Sequence, residues 1–148
     1  MKIAIGCDPN AQAYKEVLIP FIEKLGHEVT DCGSEDPIYA NTAFAVGEAV
    51  AAKKFDRGIL ICGTGMGVCI AANKVKGVSA ALVTDMYQAQ RAQLSNNANI
   101  MTLGAQVTGI ELAKCLVEEY LKYTFDPNSR SGPKAARIAE YEEAGCNG

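Results

Sequence analysis

The chain has 148 residues, of which 49% are hydrophobic and 21% charged, and its net charge at pH 7 is -3. This balance predicts one soluble globular domain spanning residues 1–148, and the acidic charge argues against a nucleic-acid partner, which binds a basic face. No apolar run approaches the roughly 20 residues that cross a bilayer, so no membrane association is expected.

Short apolar runs alternate along the chain with segments of helical spacing. The expected strands are residues 2–7, 27–33, 57–62, 78–84 and 99–104, and the expected helices are residues 11–25, 40–54, 68–74, 85–95, 108–123 and 134–144. Pro20 weakens the first helix or bends it. The alternation predicts an α/β fold of three layers, with a five-stranded parallel sheet covered by helices on both faces. The last helix finds little room in that core, and we expect it to pack on a partner subunit.

Three alternate glycines follow the third predicted strand, at Gly63, Gly65 and Gly67. Ligands of open parallel sheets bind at the carboxyl ends of the strands. Glycines there let the backbone turn sharply and present its N–H groups, and a helix starting near Gly67 adds further free N–H groups. Such a hollow suits a phosphate, a carboxylate or a transient oxyanion. The alternative is a tight strand-to-helix turn that binds nothing.

Nucleotide-binding motifs fit this loop poorly. A Walker A loop would continue with Gly-Lys and Ser or Thr, which are absent. A dinucleotide fingerprint would place its third glycine one residue later and would follow the first strand, and the chain has no room for a second substrate domain.

Six cysteines occur without a C-x-x-C pair, and His27 is the single histidine, so the sequence has no zinc-binding pattern. Without an export signal, we expect a cytoplasmic protein whose cysteines stay reduced. Cys62 ends the third strand beside the glycine loop, where N–H groups stabilise a thiolate. It is a candidate base or nucleophile; the alternative is a buried structural cysteine, the interpretation that we favour for Cys115. Cys7 and Cys69 are expected to pack.

Three stretches resemble a known family: "IAIGCD", "DRGILICGTGMGVCIAANKVKGVSAALVTD" and "NNANIMTLGAQVTGIELAK". They are similar, in order and with matching gaps, to ribose-5-phosphate isomerase type B and galactose-6-phosphate isomerase. The resemblance implies a Rossmann-like three-layer fold and an aldose–ketose isomerase without metal or other cofactor. It also implies a small sugar phosphate as substrate, and a homodimer or dimer of dimers with its sites at the subunit interface.

The same resemblance assigns roles to individual residues. Cys62 matches the base that moves a proton between C1 and C2 of the open-chain sugar, and the N–H groups from Gly63 to Gly67, including that of Met66, would hold the enediolate oxygen. Thr64 matches a residue near the sugar hydroxyls and the ring-opening step. Asp8 matches a residue that binds hydroxyls, and Asn96 an asparagine that the partner subunit contributes.

The sequence departs from the family pattern at several of these positions. Pro9 and Asn10 stand where a histidine usually helps to bind the phosphate, and Ser95 stands where a second histidine assists ring opening. The phosphate-binding arginines near the C-terminus have as their counterparts Arg130, Lys134 and Arg137, with altered spacing; the alternative is that these are solvated surface residues. The expected substrate is therefore ribose 5-phosphate or another sugar: an allose, galactose or tetrulose phosphate, or an unphosphorylated sugar. A non-catalytic sugar-phosphate-binding protein is the alternative from another class.

Overall fold

The computed structural model describes residues 1–145 and contains one five-stranded sheet. Its strands are β1 (Lys2–Cys7), β2 (Glu28–Asp31), β3 (Arg57–Cys62), β4 (Ala80–Leu82) and β5 (Ile100–Gly104). They lie in the order β2-β1-β3-β5-β4, and every neighbouring pair is parallel. All five carboxyl ends therefore meet at one edge of the sheet, with β3 in the centre.

Helices cover both faces of this sheet, which confirms the predicted three-layer α/β fold. They are α1 (Gln12–Lys24), α2 (Tyr39–Ala51), α3 (Met66–Ala72), α4 (Met86–Leu94), α5 (Ile110–Lys122) and α6 (Gly132–Glu143). One face carries α1, α4 and α5, and the other carries α2 and α3. Because side chains alternate along a strand, Ile59 and Ile61 pack on the first face and Leu60 on the second. Burial on both faces explains the nearly unbroken apolar runs of β1, β3 and β5.

Some boundaries differ from the sequence-based prediction. The helix after the glycine loop begins at Met66, two residues early, and α1 runs through Pro20 without ending there. β4 has three residues rather than seven. At its start two side-chain amides take the place of a neighbouring strand. Asn99 accepts a hydrogen bond from the N–H of Ser79, and Asn73 accepts from the N–H of Ala80 and donates to the Ala80 carbonyl. A short 3-10 turn, residues 9–11, was not predicted.

The expectation for Cys115 was wrong, because this residue is exposed. Leu116, Val117 and Tyr120 face the sheet from α5 and are completely buried, and this leaves Cys115 on the outer surface. Cys7 is buried as expected. The five cysteines within residues 1–145 are free thiols; the sixth, Cys146, lies outside the described residues.

The last helix, α6, lies outside the main core, as its sequence position predicted. Ile138 and Tyr141 are 62% and 52% exposed on it. It contacts the segment before β4, where the Glu142 carboxylate accepts from the N–H of Gly77 at 3.0 Å. This segment belongs to the amino edge of the sheet, so α6 is held away from the carboxyl ends of the strands. No helix within residues 1–145 has the length and apolarity that crossing a membrane requires.

Candidate active site

Three chain segments meet at the carboxyl edge in the centre of the sheet. The register pairs Cys62 of β3 with Gly104 of β5, and the next residue, Ala105, donates its N–H to the Cys62 carbonyl at 2.9 Å. On the other side, Asp8 donates its N–H to the carbonyl of Ile61 at 2.9 Å. Backbone hydrogen bonds therefore hold the segments after β1, β3 and β5 side by side.

The sulfur of Cys62 lies inside the turn that follows β3. The residue is 5% exposed, and the N–H of Gly65 points at its Sγ atom from 3.1 Å. A backbone N–H directed at sulfur stabilises negative charge on it. The Cys62 sulfur is therefore almost completely buried, with one backbone donor directed at it.

Gly65 fixes the shape of this turn. Its φ of +79° lies in the left-handed region, and a Cβ atom there would come within 2.6 Å of the Leu82 side chain and 2.8 Å of the Leu103 carbonyl carbon. The Gly65 carbonyl accepts a hydrogen bond of 2.8 Å from the buried hydroxyl of Thr102. The donor to Cys62 is therefore held by the conformation, packing and hydrogen bonding of one residue.

A tyrosine that the sequence analysis missed covers the last glycine of the loop. A Cβ atom on Gly67 would lie 2.4 Å from both the Cζ and hydroxyl oxygen of Tyr39. Tyr39 is the first residue of α2 and is 38% exposed. Gly67 therefore leaves space for an aromatic ring at the site. An aromatic residue at the start of a helix on the carboxyl side of a sheet was the available signal.

The remaining loop residues face outward. Thr64 is exposed, and its Oγ1 accepts a hydrogen bond from the N–H of Met66 at 3.2 Å. Met66 is itself 53% exposed. Both side chains stand at the surface next to the buried sulfur, where a bound molecule can reach them.

Asp8 caps the short turn after β1. One oxygen of its carboxylate, Oδ1, accepts the N–H of Asn10 at 2.7 Å, while Pro9 begins the turn. The second oxygen, Oδ2, has no hydrogen-bond partner within the described chain. Asp8 is partly buried, whereas Asn10 is exposed. The carboxylate therefore has a fixed position and a free acceptor close to β3.

Gln106 is a second residue that the sequence analysis missed. Its N–H donates to the Gly63 carbonyl at 3.0 Å, and its side chain lies over the α-carbon of Gly63. The signal available in the sequence was its place directly after the fifth predicted strand, at the same edge as the glycine loop.

Two other predicted site residues lie at the opposite edge of the sheet. Ser95 and Asn96 follow α4 and precede β5, whereas Cys62 pairs with the last residue of β5. Strands rise by about 3.3 Å per residue, so the two edges are separated by about 15 Å. The Ser95 hydroxyl accepts a 2.5 Å hydrogen bond from Arg91, and the Asn96 amide donates to the Arg91 carbonyl at 3.0 Å. Within one chain these residues do not meet Cys62.

The basic residues near the C-terminus are also remote from the sulfur of their own chain. Arg130, Lys134 and Arg137 are exposed on α6 and the loop before it, and α6 borders the amino edge. Arg137 is 3.6 Å from a carboxylate oxygen of Glu140. Arg130 and Lys134 have no ion pair with any residue between 1 and 145, so their charges are available to an anion.

A separate cleft of about 620 Å³ lies at the end of β2, between the segment that follows this strand and the first turns of α1 and α2. In its lining, the ammonium of Lys15, 1% exposed as a residue, is paired with Asp31 at 2.6 Å. Burial raises the pKa of the Asp31 carboxyl, but the Lys15 ammonium and the N–H of Gly33 lower it by more. Burial also raises the pKa of the neighbouring Cys7 thiol to about 11, although Lys15 opposes this. Cys7 therefore remains a neutral thiol at physiological pH.

Residues 1–145 contain no group of three His, Cys, Asp or Glu side chains arranged to hold a metal ion. The chemistry on view is that of a cysteine, backbone N–H groups and one aspartate at the switch point of a parallel sheet. This combination suits proton transfer next to a carbonyl oxygen, and the comparisons with known proteins identify the family.

The sequence model of the family "Ribose/Galactose Isomerase" matches residues 3–138, and the chain belongs to that family. One relative, D-erythrulose-4-phosphate isomerase 2 of Mycolicibacterium smegmatis, is 45% identical over 97% of this chain and 99% of its own. A solved structure of ribose-5-phosphate isomerase B from Clostridium thermocellum is 40% identical with a TM-score of 0.91, covering 97% of this chain and 99% of that one. The Mycoplasma genitalium enzyme with bound ribulose-5-phosphate is 34% identical with a TM-score of 0.90, covering 96% of each chain.

These findings confirm three predictions from the sequence: the family, the fold and the enzyme class, which is that of an aldose–ketose isomerase. The matches to the relatives cover nearly the whole chain, so the likeness includes the glycine loop and both edges of the sheet.

Proposed function

We propose that this protein interconverts an aldose phosphate and its ketose phosphate, with Cys62 as the base that moves a proton between C1 and C2. The observation that carries the proposal is the buried Cys62 sulfur, held 3.1 Å from the N–H of Gly65 inside the glycine loop. Moving a proton next to a carbonyl requires one positioned base and one site for the charge that develops on oxygen. Cys62 and the loop N–H groups supply these two elements side by side.

Asp8 completes the proposed set on the same chain. Its carboxylate is oriented by the N–H of Asn10 and keeps one oxygen free, which suits a sugar hydroxyl. The nearly dry position of Cys62 strengthens electrostatic interactions with the enediolate. Thr64 stands at the surface end of the loop, where it can contact the hydroxyls of an open-chain sugar.

The opposite edge of the sheet enters the proposal through a second subunit. Ser95 and Asn96 lie about 15 Å from the carboxyl edge of their own chain. Helix α6, which carries Lys134 and Arg137, borders the same amino edge. If Asn96 and the α6 cations act on substrate, they act at the Cys62 pocket of another copy. We therefore propose a homodimer with two composite sites, in which the exposed charges of Arg130, Lys134 and Arg137 bind the substrate phosphate of the neighbour.

The favoured substrate is a four-carbon sugar phosphate. A tetrose 4-phosphate carries its phosphate on O4, so this oxygen cannot close a five-membered ring and no ring-opening group is required. That fits Ser95, whose hydroxyl is already engaged by Arg91, at a position where the family often has a histidine. It also agrees with the relative named D-erythrulose-4-phosphate isomerase 2. Ribose 5-phosphate is the second candidate, because the two solved structures compared above carry that activity or ligand in their names.

A substrate panel tests this proposal. D-Erythrose 4-phosphate, ribose 5-phosphate, allose 6-phosphate, galactose 6-phosphate and the free sugars are assayed for interconversion without added metal or nucleotide. We expect the highest kcat/KM for the four-carbon phosphate. A higher value for ribose 5-phosphate would contradict the tetrose assignment, and preference for a free sugar would contradict the role of phosphate. Binding of a sugar phosphate without turnover of any sugar would establish the alternative of a non-catalytic protein.

Two cysteine variants test the base. Cys62→Ser should fold normally and lose at least about 100-fold in kcat, the usual scale for removal of a general base. Cys69→Ser is the matched control, since its thiol in α3 donates to the Ala80 carbonyl and accepts from the Asn73 amide, whereas the N–H of Gly65 donates to Cys62. Near-normal turnover by Cys62→Ser would refute the assignment.

A further inference from the structure

We infer that Gln106 binds the substrate and contributes to sugar specificity, through a hydrogen bond from its carboxamide to a substrate oxygen away from the reacting carbons. This inference rests on the proposed isomerase function. The residue follows β5 at the carboxyl edge and is exposed.

The position of Gln106 is fixed by the backbone of the glycine loop. Ala105 and Gln106 donate their N–H groups to the carbonyls of Cys62 and Gly63 at 2.9 and 3.0 Å. On its other side, Val107 and Thr108 both bond the Gly104 carbonyl, at 3.0 and 2.8 Å. Gln106 is therefore the outermost residue of a closed turn that cannot move independently of the loop.

The side chain of Gln106 lies over Gly63. A Cβ atom placed on Gly63 would be 3.3 Å from Oε1 and 3.8 Å from Nε2 of the carboxamide, so the absence of a side chain at Gly63 leaves room for it. Neither polar atom has a hydrogen-bond partner among residues 1–145. An exposed donor and acceptor beside the glycine loop is thus available to a ligand.

The geometry also separates this carboxamide from the reacting atoms. Cys62 packs among side chains of α2 and α3, whereas the neighbouring Gly63 faces the segment after β5. A sugar phosphate with C1 and C2 at the sulfur that extends across the loop toward Gly63 would place a later hydroxyl or its phosphate at Gln106. Contacts of this kind hold the ground state and the transition state alike, so their loss appears in KM.

Three substitutions test the inference with the sugar phosphate that the wild-type protein turns over best. Gln106→Met keeps the length of the side chain and removes its polar atoms, and we expect KM to rise about three- to tenfold, the scale of one neutral hydrogen bond, with kcat within about twofold. Gln106→Ala should behave in the same way, and it guards against a packing effect of methionine. The matched control is Gln12→Ala on the exposed face of α1, where the amide bonds Glu16.

Gln106→Glu identifies the oxygen that is bound. A carboxylate repels a phosphate, so KM should rise well beyond that of Gln106→Met if the partner is phosphate, and it should remain near the wild-type value if the partner is a hydroxyl that the carboxylate can accept from. Unchanged KM in the Met, Ala and Glu variants would overturn the inference while the isomerase function stands. A loss confined to kcat would also overturn it, because it would place the carboxamide at the reacting atoms. An inactive wild-type protein would instead refute the proposed function.

Discussion

Replacing Gly65 by alanine should both destabilise the fold and disable the glycine loop, because two separate properties of this glycine are used. Its φ of +79° is unfavourable for a residue with a Cβ atom, at a cost of about 1–2 kcal/mol. The added methyl would also stand 2.6 Å from Leu82 and 2.8 Å from the Leu103 carbonyl carbon, and overpacking of this kind costs about 1–3 kcal/mol. The expected loss in free energy of unfolding is therefore about 2–5 kcal/mol.

Gly26 provides the matched control. It has a comparable φ of +99°, and a Cβ atom there would have no neighbour within 4 Å. Gly26→Ala should therefore cost only the backbone term, about 1–2 kcal/mol, and should leave turnover unchanged. The difference between the two variants in free energy of unfolding measures the contribution from the packing of Gly65 against β4 and β5.

The methyl group added in Gly65→Ala should also displace the backbone N–H that faces Cys62, and this displacement should reduce catalysis. The N–H of Gly65 donates to the Cys62 sulfur, and a shift of about 1 Å in a positioned catalytic group can cost about 100-fold in rate. Urea denaturation followed by circular dichroism measures stability, and kcat/KM is measured where the variant remains folded. Equal stability of the Gly65 and Gly26 variants, or a fully active Gly65→Ala, would refute the account of this turn.

Three further predictions concern the partner subunit, the phosphate and acid pH. Inactive Cys62→Ala and inactive Asn96→Ala proteins should regain activity when mixed under subunit exchange, because one site of each heterodimer then carries neither defect; exchange without recovery argues against a shared site. Arg137→Ala should raise KM for the sugar phosphate by about tenfold or more with little change in kcat, and an unchanged KM would remove Arg137 from the phosphate site. Asp31 has a lowered pKa in the folded protein, so its pair with Lys15 should stabilise the fold above about pH 4 and less as the pH falls below that value. Asp31→Asn should lower the free energy of unfolding by about 2–3 kcal/mol at pH 7, less than the loss of a fully buried pair because Asp31 is half exposed. If the difference in unfolding free energy between wild type and variant does not become smaller in acid, this account is contradicted.

The sequence predicted the features of this fold that depend on local pattern. The five strands, the helices between them and the glycine loop after β3 were all found, because each is encoded in a short run of residues. The boundary errors have local causes as well. β4 is short because the side chains of Asn73 and Asn99 take over backbone partners at its start, and this exchange is invisible to hydrophobic periodicity.

The residues that sequence reasoning missed depend on contacts between distant segments. Tyr39 lies over Gly67, and Gln106 lies over Gly63; the two residues of each pair are far apart in the chain, and no local pattern indicates that they meet. The exposure of Cys115 was mispredicted for a related reason, since a cysteine in an apolar helix can stand on either side of the buried stripe. Position in a pattern predicts the face only where the packing partner is known.

Each of the three alternate glycines in the loop has its own structural reason. Gly65 alone is required by backbone conformation, because it has the positive φ and the tight approach to β4 and β5. A turn that bound nothing would need only this one. At the other two glycines, a side chain from another segment fills the space that a Cβ atom would take: Gln106 at Gly63 and Tyr39 at Gly67. Both of these side chains reach the surface near the loop that holds Cys62. The glycine spacing therefore combines one requirement of the fold with two spaces that bring an amide and an aromatic ring to the proposed site.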